Sequence, residues 1–310
     1  MLDRRNFFSQ AESMFAMYTA GMYAEALAAV EQLAREFPEE DASTSYWRLC
    51  LLSRMGRTEE AVASMSQALQ RGMWWGENAL RDDQDLASLQ GLPAYETMVA
   101  ECKRRYSEAQ KNSRPELLVR TPGTRPPYPL LIALHGRMGS AGRDLVRWEP
   151  AVGMGWMLAM PQSSQCGSPT AFSWDDTTKA REEIAAHYRN LAEQYPVDAE
   201  RVVLAGFSQG AALSIQLALR GPIPARGFIA VVPGPTALDG LEGLARSARN
   251  LRGYLVAGGR DPRKDVFGEI QGALSRNGVP CEMEEHPEMA HDFPRDFDRT
   301  VDRAIRFLFA

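Results

Sequence analysis

The sequence predicts an α/β fold, a mostly parallel sheet flanked by helices, preceded by an all-α helical region. Two observations carry this expectation. From residue 115 onward, short aliphatic runs alternate with amphipathic helical stretches, the pattern of strands buried on both faces and joined by crossover helices. Before residue 113 the chain is rich in Ala, Glu, Met and Gln, and a helical motif recurs at a fixed offset. Between the two regions Pro115, Pro122, Pro126, Pro127 and Pro129 crowd together. Prolines in such a cluster mark a linker, so two domains are expected, residues 1–112 and 113–310. The 310 residues fit two domains at about 150 each.

In the first region Gly21-Met22-Tyr23-Ala24-Glu25-Ala26-Leu27 aligns with Gly56-Arg57-Thr58-Glu59-Glu60-Ala61-Val62 at an offset of 35 residues. A turn at each glycine is followed by a helix whose small Ala26 or Ala61 lets a paired helix come close. Val30 with Leu33, and Met65 with Ala68 and Leu69, continue the apolar stripe at helical spacing. Pro38 closes the first unit. The G-x-Y-x-E-A segment and this proline resemble tetratricopeptide repeats. The second unit departs from them, with Met73 where the proline is expected and Tyr46 and Trp47 only loosely filling the aromatic positions. Two units are too few to bury their own faces, so residues 74–110 are expected to cap them. The stack serves either as packing or as a surface for a protein partner or self-association.

From residue 115 the elements follow in order. LLIAL (130–134), WMLAM (156–160), VVLA (202–205), FIAVV (228–232) and YLVA (254–257) read as buried strands. A short strand around Leu117 to Val119, turning through Pro122-Gly123 back to Leu130, adds an antiparallel edge. Helical faces are clearest at Ile184, Tyr188, Leu191 and Tyr195, and at Phe297, Val301, Ile305 and Leu308.

Composition excludes several classes. Hydrophobic residues are 45% and charged residues 24%, ordinary for a globular chain, and no apolar run is long enough for a membrane span. The net charge of -5 offers no overall attraction to phosphate backbones, so a nucleic-acid partner is not expected. Cys50, Cys102, Cys166 and Cys281 are scattered and read as reduced thiols of a cytoplasmic protein.

The candidate chemistry begins at Ser208, in Gly206-Phe207-Ser208-Gln209-Gly210, between the strand VVLA and the helical AALSIQLAL. A G-x-S-x-G framed by strand and helix is the pattern of a nucleophile elbow. Its glycines admit close backbone approach while the serine is held in a strained conformation, and the helix N-terminus favours negative charge at its oxygen. His135-Gly136 after LLIAL is a second, independent signal. An acyl-transfer site needs two fixed N–H donors, one after the nucleophile and one from a loop after an upstream strand. Gln209 and Arg137 are the matching backbone donors, with Met138 the fallback for the second.

Four histidines compete for the role of base. His135 belongs to its loop, and His187 lies on the buried side of a helix. His291, in the loop between CEMEE (281–285) and the last helix, sits where the order serine, acid, histidine places the base, with His286 the weaker candidate. The acid is expected after YLVA, where Gly258-Gly259-Arg260-Asp261-Pro262 supplies Asp261; Asp239 and Asp265 are less well placed. Glu284, Glu285, His286, Glu288, His291 and Asp292 crowd together without a recognised zinc spacing. No phosphate loop and no G-x-G-x-x-G is present. Neither a metal nor a cofactor is expected.

With LLIALHG, RVVLAGFSQGAALS, GGRDP and AHDFP, residues 115–310 resemble the α/β-hydrolases of the phospholipase/carboxylesterase type. The resemblance implies Ser208, Asp261 and His291 as a triad and the Gln209 and Arg137 amides as an oxyanion hole. Two positions depart from it: Arg137 and Met138 dilute the glycines after His135-Gly136, and Ala290 stands where a glycine usually precedes the histidine. Only about twenty residues, Gly234 to Gly253, separate FIAVV from YLVA, which leaves no room for a lid. The helical region or the loop 161–178 is then the candidate wall of the site. Met138, Trp148 and Trp174 are the candidate pocket residues, and Arg137 and Arg260 flank the site. The expected function is hydrolysis of a carboxylic ester or thioester in a small-molecule or acyl-conjugate substrate. The alternatives are a peptidase or acyltransferase using the same residues, or an adaptor with an inactive hydrolase scaffold.

Overall fold

The computed structural model describes residues 4–248 and 250–310, which divide into two compact units. The first comprises Met1–Ser113 together with Cys166–Ala171; the second comprises Arg114–Gln165 and Phe172–Ala310.

The first unit is built from α1 (Arg4–Thr19), α2 (Tyr23–Glu36), α3 (Asp41–Arg54), α4 (Thr58–Gln70), α5 (Glu77–Asp82) and α6 (Pro93–Asn112). The 35-residue offset has a physical basis. Gly21 and Gly56 end α1 and α3 at φ 77° and 72°, where a side chain would be strained. The next residue then donates back into the helix, Met22 N to Met17 O and Arg57 N to Leu52 O, each at 2.9 Å, a Schellman ending. Ala26 and Ala61, one turn into the following helices, are fully buried, as close helix packing requires. Trp75, Tyr95 and Phe37 fill the centre of this unit, and the Trp75 indole N–H donates to Ala42 O at 3.0 Å. The segment Cys166–Ala171 joins it through Gly76 N to Gly167 O and Cys166 N to the Gln110 side chain, both 3.0 Å. Nothing in the local sequence of that segment signals this.

The second unit holds a seven-stranded sheet in the order β1-β3-β2-β6-β7-β8-β9. Its strands are β1 (Glu116–Arg120), β2 (Tyr128–Leu134), β3 (Met157–Gln162), β6 (Val197–Phe207), β7 (Gly227–Val231), β8 (Arg252–Gly258) and β9 (Cys281–His286); β4 (Gln165–Ser168) and β5 (Ala171–Ser173) form a separate two-stranded ladder. All neighbours in the large sheet are parallel except β1 with β3. The edge strand is therefore antiparallel, as expected. Its partner is β3 and not the β2 to which the Pro122-Gly123 turn leads.

The helices are α7 (Ala141–Trp148), α8 (Pro150–Gly153), α9 (Thr177–Gln194), α10 (Gln209–Arg220), α11 (Leu241–Ser247), α12 (Lys264–Arg276) and α13 (Phe297–Leu308). Side-chain alternation along β2 shows how they cover the sheet. Leu130, Ile132 and Leu134 face a core with Ile184 and Leu191 of α9 and Ile215 of α10; Leu131 and Ala133 face Trp148 of α7 and Val301 of α13. Both faces are buried, which explains the unbroken apolar runs. Among the described residues no helix is long and apolar enough to cross a membrane.

Candidate active site

Four loops at the C-terminal ends of β2, β6, β8 and β9 build the site. At the end of β6 the chain reverses directly into α10 through Ser208, at φ 52° and ψ -112°, a conformation that L residues rarely adopt. Excluded volume enforces it. A Cβ on Gly206 would lie 2.4 Å from the Gly210 carbonyl carbon, and one on Gly210 would lie 2.4 Å from Leu134 O. The turn is tied on both sides, Ser208 N donating to Val231 O at 2.9 Å and Gly234 N to Ser208 O at 3.1 Å. Ser208 Oγ meets His291 Nε2 at 2.9 Å, and His291 Nδ1 meets Asp261 Oδ2 at 2.5 Å. Residues 208, 261 and 291, read separately from the sequence, are thus in one hydrogen-bonded line.

The acid and histidine loops reach each other because two glycines let their backbones touch. A Cβ on Gly258 would fall 2.4 Å from Ala290 O, and one on Gly259 would fall 2.7 Å from Pro287 O. Gly259 N and Arg260 N donate across to His286 O and Met289 O. Asp261 is 2% exposed. Burial pushes its carboxyl up, but the Arg263 N–H, the His291 ring and the Arg263 charge outweigh it and hold the group below its ordinary range. Burial lowers His291, the bond to Asp261 raises it, and the Arg263 charge lowers it again, leaving the imidazole neutral more readily than a free one. Arg263, which the sequence did not single out, brings Nη2 to 2.6 Å from His291 Nδ1 and Nε to 3.5 Å from Asp261 Oδ1. One ring nitrogen serves one partner at a time. With its proton on, Nδ1 donates to Asp261 and leaves Nε2 free to accept from Ser208.

The other candidates lie elsewhere. His286 Nε2 lies 2.7 Å from Glu284 Oε1, away from Ser208, and Asp265 sits in the first turn of α12. His187 is on α9, and Asp239 precedes α11. His135 is fully buried, and burial lowers it to about 4, so its ring is neutral. Nδ1 donates to Gly136 O at 2.8 Å while Nε2 accepts from Gln162 Nε2 at 3.2 Å, which fixes the tautomer.

That bond bears on the first candidate donor. Gly136 O is held by His135 Nδ1 and, at 3.0 Å, by Gly139 N, and the peptide to Arg137 is trans, so the Arg137 N–H points the opposite way. Gly136 has no room for a side chain, since a Cβ would sit 2.8 Å from the Phe207 ring. Met138 closes the turn at φ 57°, a position that ordinarily takes glycine. Gln209 is the first residue of α10, so its N–H has no acceptor within the helix. The side chains of Arg137 and Gln209 both reach Asp175, at 3.4 and 2.8 Å, a convergence that no local motif announces.

Two of the three candidate pocket residues are corrected. Trp148 is fully buried, and its ring packs edge-on against Phe293 and Phe297. Trp174 is 1% exposed, stacks on His135 at 4.6 Å and donates Nε1–H to His135 O at 2.9 Å. Both are braces beneath the loops and cannot line a pocket. Met138 alone of the three is half-buried at the loop surface. From Trp148 an aromatic column runs through Phe293 and Phe207 to the His291 ring. In the helical unit Cys50, Asp83 and Asp85 come close enough to share a cation, but the hydroxyls of Tyr46 and Tyr18 already donate to the two carboxylates.

Comparison with known proteins bears on the fold that carries these residues. Residues 171–306 match the model of the Phospholipase/Carboxylesterase family. The chain carries a phospholipase/carboxylesterase domain. Residues 9–110 match the model described as the A/B hydrolase-like N-terminal domain, so the helical region goes with the hydrolase. Among solved structures, an uncharacterized protein from Bacillus cereus ATCC 10987 is 27% identical with a TM-score of 0.56, and the match covers 97% of this chain and 98% of that one. The Bacillus cereus carboxylesterase is similar over 66% of this chain and 99% of its own, at 18% identity and TM-score 0.53. Esterase PE8 matches 63% of this chain and 99% of its own, at 16% identity and TM-score 0.55. The last two likenesses are of fold. No curated protein sequence matches the chain.

Proposed function

We propose that the phospholipase/carboxylesterase domain hydrolyses a carboxylic ester or thioester through an acyl-enzyme on Ser208. The observation that carries this reading is the line Asp261, His291, Ser208, with contacts of 2.5 and 2.9 Å, on a strained turn at a helix N-terminus. Ser208 Oγ attacks the acyl carbon while His291 Nε2 takes its proton, and Nδ1–H on Asp261 stabilises the imidazolium that forms. The carbonyl oxygen becomes an oxyanion, which the Gln209 and Arg137 N–H groups and the α10 dipole stabilise. Collapse breaks the bond to the alcohol or thiol, which leaves with the proton from His291. Water, deprotonated by the same nitrogen, then attacks the acyl carbon and releases the acid.

The test is hydrolysis of 4-nitrophenyl butyrate and butyryl-thiocholine by the wild type, Ser208→Ala and His291→Ala. Each variant should lose on the order of 10⁶ in kcat while keeping the wild-type Tm, as for an interdependent triad. A Ser208→Ala protein that still turns over either substrate overturns the reading.

A further inference from the structure

The Gly136–Gly139 turn is anchored on both sides of Arg137, partly from a helix outside the triad. Gly136 O is taken by His135 and Gly139 N. The Gly136 N–H acts on the Asp144 carboxyl, drawing its pKa down, and Met138 O accepts from Arg143 Nη1 at 3.2 Å. Arg143 and Asp144 are adjacent in the first turn of α7, whose entry is fixed by Ser140 Oγ accepting from Arg143 N at 3.2 Å. The strand side fixes it too: the Gln162 side-chain oxygen accepts from Ala141 N at 2.9 Å, and its nitrogen bonds to His135. Helix and turn are therefore one braced piece.

Asp144 is an expensive residue to keep there. It is 6% exposed, and its Oδ2 has no hydrogen-bond partner among the described residues. Burial raises its carboxyl to about 6 in spite of Arg143, the Gly136 N–H and Arg147, with Asp292 adding to the rise. A buried carboxylate left half-satisfied costs stability, so a packing role alone would be served better by an apolar residue. The turn it holds is strained at Met138, φ 57°, and strain of this kind persists only where surrounding contacts over-determine it.

We infer that Asp144, with Arg143, is a positioning residue of the hydrolytic reaction: from α7 the pair acts on the His135–Gly136 and Met138–Gly139 peptides, which bracket the Arg137 N–H, and so steadies its direction at the oxyanion. The inference rests on the proposed role of Ser208. A donor that is held in place acts where charge develops, so its loss falls on kcat and leaves substrate binding alone.

The experiment compares Asp144→Leu and Asp144→Asn with the wild type and Ser208→Ala, reading kcat, KM and Tm on 4-nitrophenyl butyrate. Leucine removes the acceptor while keeping the branching at Cγ; asparagine keeps an oxygen in reach of the Gly136 N–H. Asp144→Leu should lower kcat about 10- to 100-fold with KM within about twofold, by comparison with the loss of an oxyanion donor outright. Asp144→Asn should recover most of that loss. Should the leucine variant fail to fold, Arg143→Met, which cuts the bond to Met138 O at a half-buried position, should still lower kcat severalfold at unchanged Tm. Unchanged kcat in Asp144→Leu, or equal losses in the two Asp144 variants, overturns the inference while Ser208→Ala remains inactive. Activity in Ser208→Ala overturns both this inference and the reading beneath it.

Discussion

Two turns flank the candidate site, and each forces a residue with a side chain to positive φ: Ser208 at 52° in the elbow and Met138 at 57° in the loop after β2. They are held by different physics. The elbow is fixed by excluded volume, because Gly206, Gly210 and the Leu134 carbonyl pack closer than any Cβ permits. The Met138 turn is fixed by side-chain hydrogen bonds, His135 holding Gly136 O and Arg143 holding Met138 O. Excluded volume writes itself locally, as glycines at set spacing. Anchoring by side chains has no such set spacing.

The largest expected effect tests the first half of this contrast. Gly210→Ala puts a methyl group into the backbone of β2, with no flexible side chain to give way. It should destabilise the protein by about 3 kcal/mol or more, a fall in Tm of roughly 6–12 °C, with hydrolysis lost. A variant with wild-type Tm would show that the elbow has slack and is held by something other than close packing.

The next effect concerns a partner reaching across loops. Arg263 sits on the Asp261–His291 pair, and after burial its positive charge is the contribution that holds His291 below the ordinary histidine value, against the pull of Asp261. His291 must be neutral to accept the Ser208 proton. Removing the charge raises its pKa, so in Arg263→Gln the acid limb of kcat/KM should move to higher pH while the plateau at alkaline pH is retained. An acid limb that stays in place, or moves to lower pH, would show that the guanidinium does not bear on the imidazole.

The smallest effect is expected at Asp175, which joins the side chains of Gln209 and Arg137. The pair with Arg137 is more than half exposed on both sides. Exposed pairs contribute about 0.5 kcal/mol or less, so Asp175→Asn should leave Tm within about 2 °C and change kcat little. A large loss of kcat there would move Asp175 into the same class of anchor as Asp144.

The same contrast explains what the sequence disclosed. Buried parallel strands read clearly, because runs such as LLIAL and FIAVV are covered on both faces. Ser208, Asp261 and His291 were legible because each follows a strand in an order that the fold imposes. Trp148 and Trp174 were misplaced, since an aromatic near a catalytic motif looks the same whether it lines a pocket or braces a loop, and only their burial decides. The small β4–β5 ladder lacks an apolar run, and the pairing of β1 with β3 depends on sheet order, which no local turn records. Arg263 and Asp175 stayed hidden because His291, Gln209 and Arg137 are far from them in sequence, and Asp144 because the bracing of a turn by side chains has no set spacing.

The central claim is that Ser208 is an activated nucleophile. A fluorophosphonate probe followed by peptide mapping tests it most directly, in the wild type, Ser208→Ala and His291→Ala. The account predicts one phosphonylated peptide, containing Ser208, in the wild type and none in either variant. A wild type that stays unlabelled, or a label that persists in Ser208→Ala, would contradict it.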